Sequence, residues 1–283
     1  MIYLSAFSDE AATDLQGQID ALKRNNIGYM EVRFINGIPV RDFTLEQAEE
    51  YYEEMQKQGI QVWAIGSPLG KEDIRTLDFA EYENLVHHIC KIAQIMRTDK
   101  VRMFSFFHAY DEKEKVFTYL RRMVEIATEY GITFYHENEK DIYGDNVERV
   151  LEIMQNVQGL RYVYDPANFL QVGERADNSL ANLHESTDYF HIKDVVFETG
   201  ELVPAGHGDG KIDELIARLD RDTTMTLEPH LHIFDAFKSI DDTQMKHKFH
   251  FTSNGEAFDT AVAALKKLLT EAGYREVEGG FTK

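Results

Sequence analysis

Four short stretches of this 283-residue sequence each place an acidic or imidazole side chain where an apolar, β-branched or aromatic run stops. The four residues are Glu137, Asp165, His191 and Glu228. Three carboxylates crowded around an imidazole would repel each other unless a cation lay between them. An oxygen-rich set with one nitrogen suits Mn²⁺, Mg²⁺, Co²⁺ or Zn²⁺. If the fold brings these residues together, the sequence predicts a site for one divalent metal ion.

The hydrophobic period shows which elements must position these residues. Short β-type runs alternate with longer stretches of 3.6-residue apolar spacing. The predicted strands cover residues 2–7, 29–34, 61–65, 100–106, 132–136, 162–164, 189–192 and 224–227. The predicted helices cover residues 14–26, 44–58, 78–97, 112–130, 146–157, 177–186, 211–220 and about 255–273. Eight strand–helix units favour a single closed (β/α)₈ barrel, the TIM-barrel fold of the α/β class, over residues 1–283.

A parallel barrel gives the four candidate ligands a common location. The carboxyl ends of its strands meet at one rim, where the active sites of such barrels lie. Neighbouring strands are about 5 Å apart. Glu137, Asp165, His191 and Glu228 end the fifth, sixth, seventh and eighth predicted strands. We therefore expect their side chains to converge on one metal ion.

Composition argues against several other classes of protein. The formal net charge of −20 would repel phosphate backbones, so we expect no nucleic-acid partner. No run of 18 apolar residues and no signal-peptide pattern is present, which predicts no membrane span and a cytoplasmic location. The single cysteine, Cys90, lies in an apolar, helix-like run and is expected to be a buried thiol.

The motifs around the candidate ligands resemble those of the xylose isomerase-like barrel superfamily. They are Glu137-Asn138, Asp165-x-x-Asn168, His191-x-Lys193-Asp194, Leu227-Glu228 and the loop over residues 203–213, which resembles the superfamily's Pro-x-Gly-x-Gly-x-(x)-Ile-Asp motif. The superfamily includes sugar (phosphate) isomerases, ketose 3-epimerases, inosose dehydratases and apurinic endonucleases. The resemblance implies that Glu137, Asp165, His191 and Glu228 bind the metal. It also implies that Glu137 and Glu228 form an acid/base pair.

The sequence departs from particular branches of that superfamily. Asn168 stands where many epimerases carry a substrate-contacting histidine, which leaves isomerase, epimerase and dehydratase activities open. The endonucleases carry further metal ligands, including histidines, after strands two and three. Residues 31–33 and 66–68, at the equivalent places, contain no histidine, which argues against that branch.

Several other polar residues at predicted strand ends or in the glycine-rich loop could contact a substrate. They are Glu31, Arg33, Ser67, His108, Glu139, Asn168, Lys193, His207 and His230. Rim salt bridges or loop caps are the structural alternatives for such residues. The long irregular segment 230–254 is predicted to cover the pocket. A subunit interface is its alternative role, so a homo-oligomer is possible.

Together these features predict an enzyme acting on a small polyhydroxy ketone or aldehyde. The leading hypothesis is a sugar isomerase or epimerase that works through an enediolate, with Glu137 and Glu228 exchanging protons. The alternative is an inosose-type dehydratase using the same metal site. An endonuclease-like phosphodiesterase and a non-catalytic sugar-binding barrel rank lower. Few cations at the mouth (Arg33, Lys71 and Lys193) and Asp209 in the glycine-rich loop favour an unphosphorylated substrate.

Overall fold

Eight parallel strands form a closed barrel. The structure, a computed structural model, describes residues 1–233, 246–247 and 249–283. The barrel strands are β1 (Ile2–Ala6), β2 (Tyr29–Val32), β3 (Gln61–Gly66), β4 (Lys100–Met103), β5 (Thr133–Glu137), β6 (Arg161–Tyr164), β7 (Tyr189–Ile192) and β8 (Thr223–Leu227). β8 pairs in parallel with β1, from Ile2 opposite Thr223 to Ala6 opposite Leu227, which closes the barrel. The predicted (β/α)₈ fold is confirmed.

Helices follow the strands and pack around the barrel. They are α1 (Leu15–Arg24), α2 (Leu45–Lys57), α3 (Phe79–Ile95), α4 (Lys113–Glu129), α5 (Val147–Asn156), α6 (Pro166–Gln171), α7 (Ala176–Leu183), α8 (Ile212–Ala217) and α9 (Asn254–Glu271). Capping side chains start several of them: Asp14, Asn146 and Ser253 each accept a hydrogen bond from a backbone N–H in the first turn. Helix α3 turns Cys90 inward, and this thiol is fully buried as predicted.

Two predicted strands end earlier than their apolar runs suggest. β2 stops at Val32 because Phe34–Ile35 pairs antiparallel with Ile38–Pro39 in a small hairpin. β4 stops at Met103, and Phe106 adopts a φ of 70° that no extended strand allows. Apolar composition marks both segments as buried, but it does not distinguish a barrel strand from a buried loop.

Three further elements were not predicted. The short helix α6 begins directly after Asp165, which caps it. A C-terminal hairpin of Arg275–Val277 and Gly280–Thr282 joins β1 where Phe281 pairs with Ile2, at the end of the barrel opposite the candidate ligands. At the ligand end, Asp194–Val195, Glu201–Val203 and Lys246–His247 form a three-stranded sheet after β7.

The predicted covering segment 230–254 is only partly described. Residues 234–245 and residue 248 lie outside the described residues, so covering of the pocket by this segment stays a prediction. Within the described part, the ring of Phe249 lies 5.8 Å, centroid to centroid, from the ring of His207.

Candidate metal centre

The four predicted ligands converge at the carboxyl ends of β5 to β8. Glu137 is the last residue of β5 and His191 is the third of the four residues of β7, while Asp165 and Glu228 directly follow β6 and β8. All four are buried, with exposed fractions between 0% and 4%. Their candidate ligand atoms all lie within 4.8 Å of one another. Consecutive strands of a parallel barrel therefore deliver three carboxylates and one imidazole to a single point.

His191 lies at the centre of this cluster. Its Nδ1 is 2.9 Å from Glu137 Oε1 and 3.2 Å from Glu228 Oε2. Burial opposes the charged form of the imidazole, but the Glu137 and Glu31 carboxylates outweigh burial and hold the pKa of His191 well above its usual range. The cluster is thus an environment that attracts positive charge.

Asp165 uses its two oxygens differently. Its Oδ1 accepts hydrogen bonds from the backbone N–H groups of Ala167 (2.7 Å) and Asn168 (3.1 Å) and so caps α6. Its Oδ2 faces the cluster, 3.0 Å from the Lys193 ammonium. Burial raises the pKa of the Asp165 carboxyl to about 7; Lys193 opposes this rise, and Glu137 and Glu228 add to it. The helix cap fixes the carboxylate so that one oxygen stays directed at the cluster.

The donor set fits a divalent cation. Asp165 Oδ2 and Glu228 Oε2 are buried and accept no aligned hydrogen bond within the described part of the chain. Asp165 Oδ2 lies 3.0 Å from the Lys193 ammonium, and Glu228 Oε2 lies 3.2 Å from Nδ1 of His191. Buried anionic oxygens need a compensating charge, and three carboxylates with one imidazole suit Mn²⁺, Mg²⁺, Co²⁺ and Zn²⁺. One divalent ion could therefore be held by Glu137, Asp165, His191 and Glu228.

An arginine holds each of the two glutamates from the side away from His191. Glu137 Oε2 lies 3.1 Å from Nε of Arg102, and Glu228 Oε1 accepts a hydrogen bond from Nη1 of Arg33 at 2.8 Å. Burial disfavours the ionised form of Glu228, but Lys193 and His191 outweigh it and keep the pKa of Glu228 well below its usual range. Each glutamate thus directs one oxygen at an arginine and the other at the metal cluster.

A pocket of about 140 Å³ opens beside both glutamates. Its polar lining comprises Arg33, Arg41, Ser67, Lys71, Arg102, Glu137, Glu139 and Glu228, and its apolar lining comprises Phe34, Pro39, Val40, Gly66, Pro68 and Phe104. A small molecule in this pocket would contact both proposed proton-transfer groups.

Six of the predicted substrate contacts lie at or beside this pocket. Arg33, Ser67 and Glu139 line it, and Glu139 Oε2 lies 3.0 Å from the Lys71 ammonium. The other three surround the metal cluster: Asn168 Nδ2 is 3.4 Å from Glu137 Oε1, Lys193 Nζ is 3.9 Å from Glu228 Oε2, and His230 Nε2 is 3.6 Å from Glu228 Oε1.

The structure does not bring Glu31, His108 or His207 to the pocket lining. Glu31 is buried beneath His191. His108 is 58% exposed and pairs with Asp73 at 3.0 Å, because positive φ angles at Phe106 and His108 end the alternation that would have turned it to the mouth. His207 is exposed on the rim. Substrate contact by these three residues is not supported by their placement.

Other residues at the site were missed. Arg102 is a charged residue inside an apolar strand, and a charged side chain that points into a barrel is itself a signal of function. Asp9 and Glu10 lie three and four residues after the end of β1, in a short 3₁₀ helix (Ser8–Glu10), and both bind Arg33, with N–O distances of 3.1 Å and 3.4 Å. A search of the loop after the first predicted strand, and not only of the strand end, would have found these two acids.

The glycine-rich loop after β7 is occupied by a protein carboxylate. Asp194 accepts hydrogen bonds from the backbone N–H groups of Gly206, Gly208 and Gly210 at 2.9–3.0 Å. A Cβ on Gly208 would lie 2.4 Å from Asp194 Oδ1, so only glycine fits at this position. Because Asp194 uses these N–H groups, they are not available to a phosphate of a substrate.

A family model described as xylose isomerase-like TIM barrel matches residues 19–232. The chain belongs to this family. Its fold is similar to an L-ribulose 3-epimerase (TM-score 0.73, 14% identity, 96% of each chain covered). It is also similar to the probable 3-DHS dehydratase AsbF from Bacillus anthracis (TM-score 0.71, 15% identity, 94% of this chain and 99% of that one).

A xylose isomerase-like TIM barrel protein from Mycobacterium smegmatis, solved in complex with magnesium, is similar as well (TM-score 0.66, 13% identity, 96% of this chain and 97% of that one). At these identities the likeness shows the fold alone. No curated protein matches this sequence. No helix in the described part of the chain is long and apolar enough to cross a membrane.

Proposed function

We propose that this xylose isomerase-like barrel is a divalent-metal-dependent isomerase or epimerase of a small polyhydroxy ketone or aldehyde. The observation that carries the proposal is the placement of Glu137 and Glu228. They come from β5 and β8, flank Asp165 and His191 in the cluster, and both line the pocket. Two carboxylates around one bound substrate are what proton removal and return at a carbon require.

The glutamates would serve as the acid/base pair. Arg102 and Arg33 each contact one oxygen of a glutamate, which orients the two carboxylates. Bases acting on the two faces of one carbon give epimerisation, whereas one base moving a proton between neighbouring carbons gives isomerisation. A bound divalent cation would polarise the substrate carbonyl and stabilise the negative charge of the enediolate.

The pocket favours a small substrate without phosphate. Its volume of about 140 Å³ suits a compact molecule, and Asp194 already uses the N–H groups of the glycine-rich loop. Ser67, Glu139 and Asn168 are the proposed hydrogen-bonding partners of substrate hydroxyls. Arg33 and His230 are proposed to act beside Glu228, which both approach within 3.6 Å.

A dehydratase is the second candidate, and Lys193 favours it. Its ammonium is buried 3.0 Å from Asp165 and 3.9 Å from Glu228. Burial disfavours the charged form, but Asp165 and Glu228 outweigh it and raise the pKa of Lys193, so the group remains a hydrogen-bond donor at the cluster. Such a donor could assist departure of a hydroxyl from an enediolate.

Hydrogen exchange in heavy water tests the proposal and separates the candidates. The protein is incubated with Mn²⁺ and a panel of free ketoses, aldoses and inososes in D₂O. An epimerase or isomerase places deuterium next to the carbonyl in a product of unchanged composition, although direct proton shuttling between carbons reduces the label. A dehydratase yields a product lacking one water.

Two controls complete this experiment. His108→Ala alters a residue outside the pocket and should convert and exchange the substrate as the wild type does, whereas Glu137→Gln should lose net conversion of substrate to product. Absence of exchange and of water loss over the whole panel, together with nicking of abasic DNA in the same buffer, would replace the proposal with a phosphodiesterase function.

A further inference from the structure

Glu31 is a buried carboxylate that the proton-transfer scheme above does not use. It lies on β2 and crosses the barrel interior to β7 and β8, with 1% of its surface exposed. It does not line the pocket. A buried carboxylate costs free energy unless other groups compensate it, so its contacts should reveal what it does.

Three donors from β7 and β8 converge on Glu31. The Tyr189 hydroxyl donates to Oε1 at 3.1 Å and the Thr226 hydroxyl donates to Oε2 at 2.9 Å. The third is His191, whose Nε2 lies 3.3 Å from Oε1 and 3.2 Å from Oε2. An ionised carboxylate only accepts hydrogen bonds, so Nε2 of His191 must carry the proton in this contact.

The opposite edge of the same imidazole faces the metal cluster. Nδ1 of His191 lies 2.9 Å from Glu137 and 3.2 Å from Glu228. A histidine that binds a metal is neutral, so with the proton kept on Nε2 the lone pair of Nδ1 would be the one available to a metal between these glutamates. Among the described residues, two groups of side chains could hold a metal, Glu137, Asp165, His191 and Glu228 in one and Glu10, Glu228 and His230 in the other, and Glu31 belongs to neither. It contacts His191 from behind and is not itself a ligand.

Aromatic rings restrict the orientation of this imidazole. The rings of Phe7 and Tyr189 meet it edge-on, with centroids at 5.1 and 5.6 Å and interplanar angles of 82° and 67°. The His191 plane is therefore held by packing while Glu31 determines which nitrogen carries the proton. Carboxylate partners of this kind fix the tautomer of a metal-binding histidine and increase its basicity.

We propose that Glu31 is a positioning residue that selects Nδ1 of His191 as the metal-binding atom and thereby sets the affinity of the site. This inference rests on the proposed function, because it requires that Glu137, Asp165, His191 and Glu228 bind a metal. It replaces the expectation that Glu31 contacts the substrate.

Metal affinity tests this role without measuring turnover. The dissociation constants of Mn²⁺, Co²⁺ and Zn²⁺ are determined for chelator-treated protein by competition with a metal indicator. Glu31→Gln keeps the side-chain shape but removes the charge, and it should weaken binding by about 10- to 100-fold. Glu72→Gln is the matched control, because Glu72 also accepts a tyrosine hydroxyl, from Tyr82 at 2.7 Å, but lies away from His191. Its affinity should equal that of the wild type.

A second measurement separates positioning from general damage to the fold. In the zinc-loaded protein with ¹⁵N-labelled histidine, long-range ¹H–¹⁵N correlation should show His191 protonated at Nε2 with its Nδ1 signal shifted by the metal. If Glu31→Gln does not fold, Tyr189→Phe and Thr226→Val each remove one donor that orients the carboxylate. Both should weaken metal binding by a smaller factor.

The outcomes distinguish this inference from the proposed function. Wild-type protein that binds metal while Glu31→Gln binds it equally well overturns the role of Glu31 and leaves the function standing. Zinc bound through Nε2 of His191 would also overturn the role of Glu31 and leave the function standing. If Glu31→Gln does not fold, unchanged metal affinity in Tyr189→Phe and Thr226→Val would have the same consequence. Wild-type protein that binds none of the three metals overturns both.

Discussion

The two proposed acid/base residues are chemically identical but lie in different surroundings. Glu137 and Glu228 each contact Nδ1 of His191 and one arginine. Both arginines also lie over the Phe7 ring, with guanidinium carbons at 5.4 Å for Arg102 and 4.2 Å for Arg33. To this extent the two halves of the site mirror each other.

The arginines differ in what else they bind. Arg102 also donates a hydrogen bond from Nη1 to a neutral group, the backbone carbonyl of Ser67, at 2.9 Å. Arg33 is shared among three carboxylates, because it contacts Asp9 and Glu10 as well as Glu228. Glu137 and Arg102, the Glu137 half of the site, thus form a simple ion pair. Glu228, Arg33, Asp9 and Glu10, the Glu228 half, form a network of charges. The same catalytic group can therefore be supported in two ways, with different consequences when the support is removed.

The largest expected effect comes from the glutamates themselves. Glu137→Gln and Glu228→Gln each remove a base and a negative ligand, so each should lower kcat by about 10²–10⁴-fold or more. If the two residues serve opposite faces of the substrate, each variant should still exchange deuterium into one epimer and fail with the other.

If one of these variants exchanges deuterium into both epimers, the remaining glutamate must act on both faces of the substrate carbon. That result would make the site a one-base isomerase. Single-turnover exchange with each epimer, followed by mass spectrometry or NMR, decides between the two schemes.

Replacing the two arginines should lower the unfolding free energy by different amounts in the two halves. Arg33→Met leaves three buried carboxylates without their shared cation, which should cost about 3–5 kcal/mol of unfolding free energy. Arg102→Met removes the single arginine partner of Glu137 and should cost about 1–3 kcal/mol. Urea unfolding of the metal-free proteins measures both values. Equal losses would show that Asp9 and Glu10 do not depend on Arg33.

Metal binding should stabilise the folded protein through ligands from both halves, Glu137 and Glu228. At a concentration about 100 times its Kd, a divalent ion adds about 2.7 kcal/mol to the stability of the folded state. That corresponds to a rise in Tm of roughly 5–10 °C. Scanning calorimetry of chelator-treated protein with and without Mn²⁺ measures it. The rise should shrink in both Glu→Gln variants, and a rise that persists in either would remove that residue from the ligand set.

The barrel and the convergence of the four candidate ligands were predictable because both depend on local signals. Alternating apolar periods define the strands, and a polar residue directly after each strand lies at the common rim. This reasoning holds for Asp165 and Glu228 because the chain stays extended up to them. It fails for His108, where positive φ angles at Phe106 and His108 turn the chain.

The strand pattern did not predict how deep each inward-pointing side chain lies along the barrel axis. Glu31 and Arg33 are two residues apart, so an extended chain would place them on the same face, yet Arg33 lines the pocket and Glu31 lies beneath His191. Whether an inward side chain reaches the mouth or the interior depends on the stagger of the strands, which only the closed barrel defines. The shared use of Arg33 by Asp9, Glu10 and Glu228 is also a tertiary property, since these residues come from distant parts of the sequence.

The smallest expected effect per pH unit is the pH dependence that Glu10 adds to the Glu228 half. Burial raises the pKa of Glu10 to about 8, with Arg33 opposing the rise and Glu228 adding to it. Between its ordinary value of 4.5 and this value, the folded protein keeps a proton that the unfolded chain has released. Stability therefore falls as the pH rises through this window, by at most about 1.4 kcal/mol per pH unit from this group.

Glu10→Gln removes that titration, so unfolding free energies of the metal-free variant should fall less steeply between pH 5 and pH 8 than those of the wild type. Glu271→Gln, at a side chain that is 59% exposed on α9, is the control and should keep the wild-type slope. Urea unfolding at four pH values provides the comparison. If the Glu10→Gln slope matches that of the wild type, Glu10 is ionised in the folded protein. Arg33 would then balance three full negative charges, and the difference between the two halves would be larger than the one described above.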